Sequence, residues 1–97
     1  MKLGFLEVAN KTSRFKKEFR KAMKRGCNPL LFEFVLNELV NERPLSEKYR
    51  DHALEGKYIG FRECHIQPDW LLIYLVEKNI LTLTLTRTGT HSDLFNE

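Results

Sequence analysis

Apolar positions along the chain follow two regimes, helical between about residues 13 and 41 and strand-like between about residues 61 and 87. Before the first of these, Leu3 to Val8 is a short β-prone run. Thr12 or Ser13 can then cap a helix in which Phe15, Phe19, Ala22 and Met23 recur at i, i+4, i+7 and i+8, one apolar stripe on an otherwise polar cylinder. Gly26 follows the basic last turn, where a left-handed cap is easiest, and Asn28-Pro29 reads as a second N-cap with proline at the first helical position. Leu31, Phe32, Val35, Leu36, Leu39 and Val40 give the second helix, Pro29 to about Asn41, a wide buried face, and Pro44 ends it.

Residues 44–57 have no clean period and are expected to form an ordered connecting loop. Three strands follow. Phe61 to Gln67 is stopped by Pro68-Asp69, Trp70 to Val76 is apolar on both faces, and Glu77-Lys78-Asn79 turns the chain into Ile80 to Arg87. In the last strand Leu81, Leu83 and Leu85 share one face and Thr82, Thr84 and Thr86 the other, as in a sheet covered on one side. The expected fold class is α+β in the order β-α-α-β-β-β: a helical hairpin packed on one face of a small, mainly antiparallel sheet, with the opposite face open. Gly89 breaks the last strand, and the remainder is a polar tail with two apolar anchors, Leu94 and Phe95.

A chain of 97 residues holds one domain, 1–97, and at 42% hydrophobic and 30% charged it needs neither a metal nor a crosslink to fold. No apolar run approaches the roughly 18 residues of a membrane span and the N-terminus lacks signal-peptide character, so a cytoplasmic protein with no membrane partner is expected. Cys27 and Cys64 are expected as thiols. Residues 1–25 hold nine Lys and Arg against two Glu, a net +7 in a chain of net +3, which leaves −4 for the rest. Lys16, Lys17, Arg20 and Lys21 lie in this block. Its charge suits a polyanion or an acidic protein, and a solvated helix face explains it equally well.

All three histidines follow residue 50: His52 in the connecting loop, His65 in a strand and His91 after the last strand. Histidine shuttles protons near neutral pH, and cleavage of RNA by its own 2′-hydroxyl needs a base, an acid and a cation for the phosphate. His52, His65, Asp69, Arg87 and His91 could supply them; periodicity does not bring them together, and three separate surface histidines fit it as well. Cys64 and His65 point to opposite faces of a strand and no compact pair spacing exists, which disfavours a metal site. Cys64 shares its face with Ile66 and reads as a small buried residue. Trp70 could stack on a base or be core; Arg87 could grip a phosphate, yet shares the parity of the inward leucines and should point inward unless strand twist or a bulge redirects it.

Asp51-His52 before Leu54 and Gly56, Arg62-Glu63-Cys64-His65 through Pro68-Asp69-Trp70, and Arg87-Thr88-Gly89-Thr90-His91-Ser92-Asp93-Leu94-Phe95 together resemble the signature half of the YafQ family of bacterial toxins, within the RelE/ParE superfamily. About half of the chain is covered; the N-terminal half agrees in layout only. The resemblance implies a RelE-like fold and a ribosome-dependent endoribonuclease, an mRNA interferase of a type II toxin–antitoxin system. Members of this family cut translated mRNA in the ribosomal A site, with a preference for adenine-rich lysine codons. It implies as partners the ribosome, mRNA and a cognate antitoxin of the DinJ or RelB kind, acidic in character. No cofactor or metal is implied. Its catalytic histidines match His52, His65 and His91, its acidic residue Asp69, and its aromatic, arginine and phenylalanine Trp70, Arg87 and Phe95. His91 is then the general acid and Arg87 the phosphate ligand, while base and positioning work is shared among Asp69, His65 and His52 without a fixed division. Lys16, Lys17, Arg20 and Lys21 would meet ribosomal RNA. The alternative within the superfamily is a non-catalytic ParE-like toxin that poisons DNA gyrase, for which a set of proton-transfer groups would have no use.

Overall fold

The computed structural model describes residues 6–95. Strand β1 (Glu7–Lys11) leads into α1 (Ser13–Lys24) and α2 (Pro29–Val40). Both helices begin as their caps dictate: the Thr12 hydroxyl accepts from the Phe15 amide at 2.9 Å, and the Asn28 side chain accepts from the Leu30 amide at 2.9 Å. The Thr12 hydroxyl also donates to the Thr86 carbonyl at 2.7 Å, so one side chain starts α1 and fixes it to the sheet. Gly26, at φ 92°, turns the chain between the helices.

A 3-10 turn (Glu47–Tyr49), the two-residue strand β2 (His52–Ala53) and a second 3-10 turn (Gly56–Tyr58) occupy the stretch expected as a loop; each is too short to leave a period in the sequence. Then come β3 (Arg62–Gln67), β4 (Trp70–Glu77), β5 (Thr82–Gly89) and a one-turn helix α3 (His91–Phe95). The five strands form one sheet in the order β1-β5-β4-β3-β2, antiparallel except where β1 runs parallel to β5. This is the expected α+β architecture with two differences at the ends. The first strand lies at Glu7–Lys11, where β5 offers partners from Thr82 to Leu85, rather than at Leu3 to Val8, of which Leu3 to Phe5 lie outside the described residues. The tail is helical.

The main core lies between the helices and one face of the sheet: Phe15, Ala22, Phe32, Val35 and Leu39 pack on Cys64, Ile66, Trp70, Leu72, Tyr74, Leu83 and Leu85. The opposite face, expected to be open, carries a second small cluster in which Leu54, Tyr58, Phe61, Leu94 and Phe95 cover Leu71 and Ile73. It is half covered because the 54–61 segment and α3 fold back across it.

A β-bulge decides what reaches that second face. Tyr74 pairs with Leu85 but Ile73 pairs with Arg87, so Thr86 is an extra residue in β5 and the alternation slips by one. Before the bulge Leu83 and Leu85 face the helices; after it Arg87 sits on the face of Ile73, and Thr88 takes the inward place. The bulge thus redirects Arg87 away from the leucines whose parity it shares.

Candidate active site

The histidines converge on the half-covered face. His52 in β2 pairs directly with Glu63 in β3, and Glu63 and His65 are two residues apart on one strand, hence on one face. His52 Nδ1 lies 2.6 Å from the Arg50 carbonyl and His65 Nδ1 lies 3.3 Å from the Pro68 carbonyl. A carbonyl only accepts, so both rings carry their proton on Nδ1 and turn Nε2 toward Glu63 Oε1, at 3.5 and 3.7 Å. Glu63 is 3% exposed, and its Oε2 has no hydrogen-bond partner among the described residues. A buried carboxylate between two imidazoles faces the Nε2 edge of each and orients both rings.

His91 completes the group from just past the end of β5, beside the β3–β4 turn. Its ring lies 5.5 Å from that of His65, and Asp69, in the β3–β4 turn, accepts from both its backbone amide at 3.0 Å and its Nδ1 at 3.2 Å. The backbone amide of His91 first, and its ring second, hold the Asp69 carboxyl below the usual carboxylate range. His91 is exposed, and with Nδ1 on Asp69 its Nε2 is the atom left for a substrate.

The short α3 that carries His91 is held by several contacts. Thr90 and Asp93 form a reciprocal capping box, the Thr90 amide donating to Asp93 at 3.1 Å and the Asp93 amide to the Thr90 hydroxyl at 3.0 Å. Asp93 also takes a forked bond from Arg25, at 2.6 and 3.3 Å, and lies 3.7 Å from Lys21. The Arg25 bond foremost holds the Asp93 carboxyl well below the usual range. Gly89 makes this approach possible, since a Cβ there would stand 3.0 Å from the Asp93 side chain. Leu94 is buried on Leu71 and Ile73, and the Phe95 ring lies 6.4 Å from those of His91 and Tyr58.

Of the residues expected at the site, the structure gathers His52, His65, Asp69, His91 and Phe95. Arg87 is near them but does not face solvent. It is 5% exposed; its Nη1 donates to the Tyr58 hydroxyl and the Leu94 carbonyl at 3.1 and 3.2 Å, its Nη2 to Glu18, and its Nε lies 3.4 Å from Glu18. Burial pulls this guanidinium down, and the bonds from Glu18 and Tyr58 more than offset it, so it stays charged. In this arrangement Arg87 braces α3 from below instead of presenting a cation to a phosphate.

Trp70 also departs from expectation. It is 3% exposed, its Nε1 donates to the Thr88 hydroxyl at 2.9 Å and its ring packs on Phe19, so it offers no face to a base. Lys16, Lys17, Arg20 and Lys21 are exposed along α1; the last three line a cleft of their own on that helix, and of the four only Lys21 reaches the site, through Asp93. Cys64 is fully buried on the helix side and burial pushes its thiol up, which leaves it inert.

Glu63, Glu18 and Asp93 were not singled out from the sequence. Glu63 had a signal, an acidic residue at i−2 to a histidine on one strand face. Glu18 had a weaker one, as the lone acid within a basic helix. Behind His52, Asp51 receives bonds from Arg62 at 3.0 Å and from the Tyr74 hydroxyl, tying β2 to the core.

A family model described as a bacterial toxin of type II toxin–antitoxin systems, YafQ, matches residues 7–96. The chain is 35% identical over 85 residues to the mRNA interferase toxin YafQ of Escherichia coli K12, covering 87% of this chain and 90% of that protein. A metal-bound toxin from Helicobacter pylori is 41% identical, with a TM-score of 0.87 over 94% of this chain and all of the other. The E. coli DinJ-YafQ toxin–antitoxin complex superposes with a TM-score of 0.82 at 33% identity, over 93% of this chain and 99% of its counterpart.

Proposed function

Because the chain belongs to the YafQ family of bacterial toxins of type II toxin–antitoxin systems, we propose that its histidine face performs the mRNA cleavage for which its E. coli relative is named, on translating ribosomes in the cytoplasm. The protein is an endoribonuclease toxin restrained by a cognate antitoxin of the DinJ kind. The observation that carries the mechanism is the row Glu63, His65, His91, Asp69, in which two imidazoles 5.5 Å apart each have a carboxylate beside them, the His65 ring being held also by the Pro68 carbonyl.

His91 is the acid. With its Nδ1 proton on Asp69, the imidazolium presents its Nε2 proton outward to the leaving 5′ oxygen. His65, neutral with its proton on Nδ1, takes the 2′ proton as the nearest second ring, and Glu63 with His52 sets its orientation. Its product is a 2′,3′-cyclic phosphate with a free 5′-hydroxyl downstream. Arg87 acts through α3: it holds the carbonyls of the tail so that His91 stays over His65.

The gyrase-poisoning alternative leaves this row without a purpose and is not favoured. Incubating the purified protein with translating ribosomes, mapping the new 5′ ends and identifying their chemistry tests the reading. Cleavage with 5′-hydroxyl ends, abolished in His91→Ala, is the expected outcome; 5′-phosphate ends or an uncut message would overturn it.

A further inference from the structure

With every nitrogen of Arg87 engaged inside the protein, the negative charge of the substrate has to be met elsewhere on this face. A groove of about 480 Å³ beside the histidines is walled by Lys48, Arg50, His65, Pro68 and His91. It runs into a second recess of about 290 Å³ that shares Lys48, His65 and Pro68 and adds Leu31 and Tyr49. The path therefore starts at the two proton-transfer rings, passes two cations and ends on an apolar and aromatic wall. Neither Lys48 nor Arg50 forms an ion pair among the described residues. Lys48 lies 5.2 Å from the Tyr49 ring.

Arg50 has a second distinguishing feature. It holds a left-handed backbone, φ 48° and ψ 41°, which a residue with a Cβ rarely adopts. In that conformation its carbonyl fixes His52 while its side chain lines the groove. One strained residue thus belongs both to the histidine group and to the cationic wall.

Resting on the function proposed above, we propose that Lys48 and Arg50 form a phosphate subsite that holds the phosphodiester next to the scissile one, with the adjoining base laid against Tyr49 and Leu31. Charge and position select the occupant: a molecule that fills the groove touches His65 and His91 as well as both cations, which fits single-stranded RNA being cut there. An acidic segment of a protein partner would use the cations and leave the rings idle.

The test uses a short oligoribonucleotide with 2′-O-methyl sugars, which cannot form the attacking alkoxide, titrated into the whole protein at several salt concentrations. Amide resonances of residues 48–50, His65 and His91 are expected to shift. Lys48→Ala combined with Arg50→Asn, a residue that tolerates the left-handed backbone, should weaken binding about tenfold or more and reduce the salt slope by about 0.7, as expected for one phosphate no longer neutralised on a single strand. Arg50→Lys in the otherwise wild-type chain should keep most of the affinity. On ribosomes the double variant should raise KM with kcat within a few-fold, whereas His91→Ala should bind the probe normally and fail to cut. Wild-type affinity and slope in the double variant, shifts confined to α1, or loss of antitoxin binding with RNA binding intact would each overturn the subsite. Absence of cleavage by the wild-type chain would instead overturn the function on which it rests.

Discussion

Cys64, Ile66, Leu72, Tyr74, Leu83 and Leu85 face α1 and α2 and are at most 5% exposed, while Glu63, His65, Leu71, Ile73 and Arg87, their neighbours on the same three strands, face the other way. The first face is apolar apart from hydroxyls and a thiol, and two full helices seal it. Among the described residues the second has only Leu71, Ile73 and Leu94 as buried apolar side chains, and a one-turn helix lies across it. Strand alternation therefore separates the residues that stabilise the sheet from those that act on a substrate. The separation is incomplete at one place, where Glu18 of α1 reaches the β5 edge to meet Arg87 and the Thr88 amide. Changes on the two faces should accordingly differ in whether they move activity, stability or both.

The largest effect expected is at His91. His91→Gln should lower the single-turnover cleavage rate by about 10²- to 10⁴-fold with the melting temperature almost unchanged, which pure chemistry on the wet face requires. A comparable loss of stability would mean that the face is structural. On the sealed face Leu72→Ala should cost about 2–5 kcal/mol in denaturant unfolding, and whatever folded protein remains should cut at the normal rate. Arg87→Ala crosses the division. It strips the partner from a half-buried Glu18 and unties α3, so about 3 kcal/mol of stability and a large part of the rate should be lost together. If only the rate fell, the guanidinium would belong to the substrate after all.

Asp93→Asn is gentler and carries a pH signature. The folded protein holds this carboxyl well below its ordinary value of about 4, so its contribution is present at neutral pH and is lost as pH falls through the depressed value. The melting temperature of the wild type should exceed that of the variant at pH 7, and the two should converge on acidification; a constant gap would remove the ion pair with Arg25 as its cause. Cys64→Ala should be smallest, about 1 kcal/mol, with cleavage within a few-fold of wild type.

The sequence made the sealed face plain, because helical stripes and strand leucines repeat and the caps at Thr12 and Asn28 are local chemistry. It also made the histidines and Asp69 recognisable as a set. Arg87 and Trp70 were harder. Their side chains are the right kind for a phosphate and a base, but burial is decided by partners far away in the chain, Glu18 and Phe19 for these two, and by a bulge with no marker among Thr84, Thr86 and Thr88. Glu63 was hidden for a related reason. Its weight comes from lying across from His52, and a two-residue strand such as β2 announces no register.

Thr86 itself leaves a constraint on length. The hairpin between β4 and β5 turns at the far end of the sheet, where gaining or losing paired residues would merely lengthen or shorten a ribbon. Between Thr86 and His91 there is no such freedom. Removing the supernumerary residue would bring Arg87 back among the leucines and exchange it with Thr88, detaching the brace of α3 and the partner of Trp70 in one step. Homologous chains should therefore vary in size at the 78–81 turn and keep a fixed count from the bulge to the acid, however freely the intervening side chains change.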